Sequence, residues 1–168
     1  MRQKYFVIDV ESIGLHGEPF AVGWVVVDTA GNELESGCLA IPQEIANGEA
    51  VNRKWVSENC PPIPANCINM EAMLSEFWAV WKRLSGALMF AECAWPVEAR
   101  FLSMCVGVNW PEKEWEGPYP LHDIASVLMA KGMDPMAKYE RRENEMPLHH
   151  PLSDARQSAR LLIEALTK

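Results

Sequence analysis

The segment FVIDVESIGL, Phe6 to Leu15, holds two carboxylates, Asp9 and Glu11, two positions apart inside an apolar run. In a strand, side chains two apart point the same way, so these acids would share a face. A solvated strand face would tolerate that. The neighbours Phe6, Val7, Ile8 and Val10 instead describe a central, buried strand. There an unpaired carboxylate is costly, and a cation is expected close by. No Lys or Arg lies in the run, which leaves a hard divalent ion such as Mg²⁺ as the natural partner of these oxygens.

Two later stretches could complete such a site. In AECAWPVEARFL, Glu98 falls in the first turn of a helix, where the dipole favours an anion. A surface helix start carries the same residue for the same reason. Glu92, at the end of a buried strand, competes with Glu98 for the role. In HHPLSDARQSARLL, Pro151 marks a helix start, with Asp154 in its first turn and His149 on the loop before it. A histidine held beside a carboxylate can act as a general base near neutral pH.

The elements that must position these residues follow from patterning. Residues 4–10 read as the opening strand; FAVGWVVVD (20–28) and LESGCLAIP (34–42) form a hairpin around TAGNE. Residues 43–68, rich in Pro and Asn, read as loop with one short helix around Arg53–Glu58. A helix spans 69–86, with Met70, Met73, Phe77, Val80, Trp81 and Leu84 as its core face. ALMFAE (87–92) is a buried strand, and Pro96 opens the next helix. YPLHDIASVLMAKG passes from a short strand into a helix, and the last helix runs from about Leu152 to Leu166. Trp110 and Trp115 sit in a polar loop, as core caps or as an exposed stacking surface. A three-strand meander followed by alternating helix and strand gives a mixed α/β sheet covered by helices.

The 168 residues are read as a single domain, 1–168, with 49% hydrophobic residues and no apolar run of membrane-spanning length. Five cysteines, odd in number and without CxxC spacing, argue for reduced thiols in a cytoplasmic protein. The net charge of −8 disfavours coating a nucleic-acid duplex, which draws on Lys and Arg. It leaves room for a compact acidic site whose sign is inverted by bound cations.

Together these elements resemble the DEDDh 3′–5′ exonucleases. DVESIGL has the D-x-E-x-x-G-L form of their first motif, with Asp9, Glu11, Gly14 and Leu15 in place. HHPLSDA fits the last motif, where a His precedes the final Asp by five positions, here His149 and Asp154. PVEARFL resembles the middle motif, with Glu98 where the family has Asp and without the usual His-Asn pair. The resemblance implies a ribonuclease H-like fold with a mixed five-stranded sheet, and two Mg²⁺ or Mn²⁺ ions held by Asp9, Glu11, Glu98 and Asp154, with Glu92 as the alternative to Glu98. It implies that His149 takes a proton from the attacking water, and that Ser12, Ile13, Gly14 and Leu15 meet the substrate's 3′ end. The substrate would be single-stranded or short RNA or DNA, and the product a nucleoside 5′-monophosphate. KYERRE, with Lys138, Arg141 and Arg142, is the nearest basic cluster for a phosphate backbone, on a loop expected to order on binding. A nucleic-acid-binding module on the same fold and a phosphodiesterase for small nucleotides remain alternatives. Patterning defines no subunit interface, and a homodimer stays open.

Overall fold

The computed structural model describes residues 3–84, 86–108, 110–111 and 114–168. Strand β1 (Lys4–Ser12) lies at the centre of a five-stranded sheet, antiparallel to β2 (Pro19–Asp28), which pairs in turn with β3 (Glu33–Ala40). On its other side β1 runs parallel to β4 (Leu88–Ala91), and the two-residue β5 (His122–Asp123) closes the order β3-β2-β1-β4-β5. The mixed α/β sheet expected from the sequence is present, flanked among the described residues by five α-helices: α1 (Ala50–Asn59), α2 (Met70–Arg83), α3 (Val97–Gly107), α4 (Ile124–Ala130) and α5 (Pro151–Leu166). No helix among the described residues is long and apolar enough to cross a membrane.

The two faces of β1 explain its near-continuous apolar run. Phe6, Ile8 and Val10 pack with Phe77 and Trp81 of α2 and Phe101 of α3. Val7 packs on the opposite face, with Ile124 and Leu128 of α4 and Leu162 of α5. Phe77 sits between Phe6 and Phe101, with ring centroids at 6.0 and 5.0 Å. Burial of each such ring stabilises the fold by about 2–3 kcal/mol, so the strand that carries the acids is clamped from both sides. Asn69 caps α2 by accepting from the Ala72 N–H, and Asp123 caps α4 through the Ser126 N–H.

Four details correct or sharpen the sequence reading. α1 runs the full Ala50–Asn59 rather than a short stretch around Arg53–Glu58; its only buried residue is Val56, so it shows almost no apolar period. Pro96 is the residue capping α3 rather than its first helical residue, and Glu98 still falls in the first turn. α2 ends at Arg83, while the predicted stop at Gly86 follows Ser85, which lies outside the described residues. Trp110 and Trp115 are exposed and cap no core.

Gly23 fixes where α5 meets the sheet. It stands opposite Asp9 in the β1–β2 pairing. A side chain there would drive its Cβ to 2.2 Å from the Leu152 nitrogen and the Pro151 carbonyl carbon. The missing side chain is therefore the notch into which the start of α5 fits, directly beside Asp9.

Candidate active site

Four elements converge on the C-terminal end of β1. The strand supplies Asp9 and Glu11. α3 brings Glu98, almost fully buried, so close that its Oε1 accepts the Val10 backbone N–H at 3.3 Å. α5, seated in the Gly23 notch, brings Asp154, buried in its first turn. The loop before α5 brings His149, whose backbone N–H donates to Asp154 Oδ2 at 3.1 Å. A ligating atom of each of Glu11, His149 and Asp154 lies within 4.8 Å of the other two.

His149 has a φ of 57°, a left-handed conformation unusual for a residue with a Cβ. Such strain persists only where surrounding contacts enforce it, and it concentrates at functional sites. Here the Asp154 bond and the rigid start of α5 at Pro151 hold it. The imidazole packs edge-to-face on Trp55 of α1, with ring centroids 5.2 Å apart.

The electrostatics are those of an acidic cluster short of positive charge. Burial raises the Asp9 carboxyl well above the ordinary aspartate range, and Glu11, Asp154, Glu98 and Glu92 push it further. Burial, then Asp154 and Glu98, push Glu11 up to about 8, against a lowering contact from the Cys60 thiol. Burial raises Glu98 to about 7, opposed by its own and the Val10 N–H groups, with Glu92 adding to the rise. Carboxylates forced together in this way gain most from a hard cation, and an all-oxygen set with one imidazole nitrogen fits Mg²⁺ or Mn²⁺.

The candidates for the third acid are set apart by their surroundings. Glu98 is buried against the β1 backbone. Glu92 is exposed at the end of β4, where its Oε2 accepts from the Ser158 hydroxyl at 3.1 Å.

The turn after β1 divides the expected substrate residues. Ser12, Gly14 and Leu15 line a cavity of about 330 Å³ beside Glu11, together with Val10, Asn52, Trp55 and Val97. Ile13 does not: its side chain is fully buried in the core, because it points away from the cleft at the end of the strand. Gly14, at φ 73°, lets the turn close onto α1, since a Cβ there would lie 2.3 Å from Asn52 Nδ2. Asn52 and Trp55 were absent from the sequence reading. Their helix shows no apolar period, and their partners lie far away in the chain.

The basic cluster is also differently used. Arg141 Nη1 reaches Asp154 Oδ1 at 2.5 Å, and Arg142 faces Glu164 at 3.7 Å, while Lys138 is exposed. The segment is no loose loop: Glu145, buried, is gripped by Arg160 at 2.6 Å and caps the Arg142 N–H at 2.9 Å.

No protein-family model matches this chain, and no curated protein matches it by sequence. Solved structures do match. Exonuclease I of E. coli, in its zinc-bound complex with single-stranded DNA, superposes with a TM-score of 0.63 at 11% identity, over 99% of this chain and 40% of that one. A moderately thermophilic exonuclease I from Methylocaldum szegediense gives 0.65 at 16% identity, over 99% and 41%. A 3′-exonuclease solved for its 3′-end recognition of the histone mRNA stem-loop gives 0.57 at 14% identity, over 98% and 64%. The chain spans about two-fifths of the length of the two exonuclease I chains. It has the ribonuclease H-like fold of these DEDDh-type exonucleases.

Proposed function

We propose that this chain is a metal-dependent 3′–5′ exonuclease that hydrolyses the terminal phosphodiester of single-stranded or short RNA or DNA and releases nucleoside 5′-monophosphates. The observation that carries the reading is the convergence of Asp9, Glu11, Glu98, Asp154 and His149 at one strand end, on a fold shared with exonucleases. Asp9, Glu11, Glu98 and Asp154 would hold two Mg²⁺ or Mn²⁺ ions, with Glu92 as the reserve candidate. Bound there, the ions would activate water and offset charge on the attacking and leaving oxygens.

The protein's own residues then do the rest. His149 accepts the proton of the attacking water on its imidazole, while the P–O3′ bond to the penultimate nucleotide breaks. Trp55 and the Asp154 bond hold that ring and its backbone in place. The terminal nucleoside sits in the cavity formed by Ser12, Gly14, Leu15, Asn52, Trp55 and Val97. Its volume is at the low end of the range for small-molecule pockets, about 300–1,000 Å³, which suits one nucleoside rather than a duplex end. The net charge of −8 supports the same preference. The five cysteines, odd in number and without CxxC spacing, suit a reducing, cytoplasmic setting.

The test is incubation of 5′-labelled RNA and DNA oligomers with Mg²⁺ or Mn²⁺. Stepwise shortening from the 3′ end, lost in Asp9→Ala and in His149→Ala, is the expected result. Turnover of dinucleotides alone would favour a small-nucleotide phosphodiesterase. Binding without turnover under either metal would favour a nucleic-acid-binding module.

A further inference from the structure

The acidic cleft already contains one cation supplied by the chain. Arg141 Nη1 donates to Asp154 Oδ1 at 2.5 Å and to the Glu145 carbonyl at 2.9 Å. Both side chains of the pair are largely withdrawn from water, 17% and 12% exposed. The other oxygen of Asp154 accepts the His149 N–H. Each oxygen of Asp154 is therefore engaged, whereas Glu11 meets the Cys60 thiol at 3.9 Å and Glu98 accepts the Val10 N–H at 3.3 Å.

The backbone under Arg141 is fixed. Arg160 grips the buried Glu145 through Nε at 2.6 Å and Nη2 at 2.9 Å, and the Ser153 hydroxyl donates to the Met146 carbonyl at 2.9 Å. What can move is the guanidinium on its long stem. A divalent ion drawing on Asp154 Oδ1 would meet that guanidinium at contact distance, with strong repulsion in a poorly solvated site. A phosphate offers the guanidinium an alternative partner of matching bidentate geometry.

We propose that Arg141 is a positioning residue that exchanges partners: it holds Asp154 until substrate arrives and then passes to a substrate phosphate, so that Asp154 takes up its cation only when nucleotide is present. The proposal rests on the exonuclease reading above. It makes loading of the second cation conditional on substrate, which would keep an idle site from full metal occupancy.

The test is Mn²⁺ binding to the whole chain, read from the electron paramagnetic resonance of the free ion, with and without AMP as a non-reacting product probe. Wild type should bind one equivalent of Mn²⁺ alone and two with AMP. Arg141→Gln should bind two without AMP, the second about tenfold to a hundredfold more tightly than wild type, the range of one charge-assisted hydrogen bond. Arg141→Lys keeps the charge and should restore the wild-type pattern. Two equivalents in wild type without AMP would overturn the exchange and leave the exonuclease reading standing, as would an Arg141→Gln stoichiometry identical to wild type. No Mn²⁺ bound under any condition would overturn both. Should Arg141→Gln not fold, the wild-type comparison with and without AMP still decides.

Discussion

Replacing Gly23 by alanine tests whether the notch beside Asp9 is what brings the last helix into the site. The added Cβ would lie 2.2 Å from backbone atoms of Pro151 and Leu152. Backbone at a helix start cannot rotate aside as a side-chain tip can, so α5 must withdraw. Restoring ordinary contact near 3.4 Å takes a retreat of about 1 Å. α5 is buried through Pro151, Ala155, Ala159, Leu162 and Ala165, and overpacking of this kind costs about 1–3 kcal/mol. The upper end is expected here, because a whole helix is displaced. For a chain of this length that lowers Tm by roughly 6–12 °C. Asp154 and His149 move with the helix start, and a misplacement of about 1 Å can cost on the order of a hundredfold in rate. Thermal denaturation in EDTA, Mn²⁺ titration and oligonucleotide turnover read the three effects. Gly107→Ala is the control. Nothing lies within 4 Å of a Cβ at that exposed end of α3, so helix propensity should leave stability equal or up to about 1 kcal/mol higher, with turnover unchanged. A Gly23→Ala protein with wild-type Tm and wild-type Mn²⁺ affinity would refute the notch as the device that places Asp154.

The remaining expectations concern charge and the pocket. Glu11 and Glu98, raised to about 8 and about 7, bind protons in the fold that the unfolded chain has already lost. The metal-free protein should therefore lose stability as pH rises from about 5 to 8, and Mg²⁺ should reverse the loss while releasing protons; denaturant midpoints that stay flat or climb with pH would contradict the clustering. Below that window the lowered carboxyls of Glu33, Glu35, Asp123 and Glu145 act with the opposite sign. Glu98→Ala should weaken Mn²⁺ binding at least about tenfold and more than Glu92→Ala does, since even outer-sphere partners are worth 10–100-fold; the reverse order in a calorimetric titration would move the ligand role to Glu92. Trp55→Ala should raise KM and lower kcat by about two- to tenfold through loss of the pocket wall and of the ring contact to His149, with Trp55→Phe largely restoring kcat; equal kinetics for Ala, Phe and wild type would remove Trp55 from the site.

Much of the frame was legible because it rests on short-range pattern. The period of two put Asp9 and Glu11 on one face, and the flanking Phe6, Ile8 and Val10 gave a buried central strand. Pro151 announced α5, and the apolar spacing of α2 announced its buried face. The parts that were not legible depend on where distant segments meet. Glu98 and Glu92 compete for one role in the sequence, and what separates them in the structure is that α3 turns the former, buried, onto the Val10 N–H. α1 carries Asn52 and Trp55 to the cleft while burying a single residue, so no periodicity marks it. Arg141 read as one of three cations for a phosphate backbone on a loop, but the anchored path of the segment at Glu145 brings it to Asp154. Ile13 was assigned to the substrate side with its neighbours, although the end of β1 turns it into the core.

The central claim is that the carboxylates at the end of β1 form a metal centre, and anomalous scattering from crystals grown with Mn²⁺ and AMP tests it most directly. The account predicts Mn²⁺ peaks among Asp9, Glu11, Glu98 and Asp154, with the Arg141 guanidinium moved off Asp154 onto the AMP phosphate. Crystals with AMP bound but no Mn²⁺ at those four side chains would contradict it.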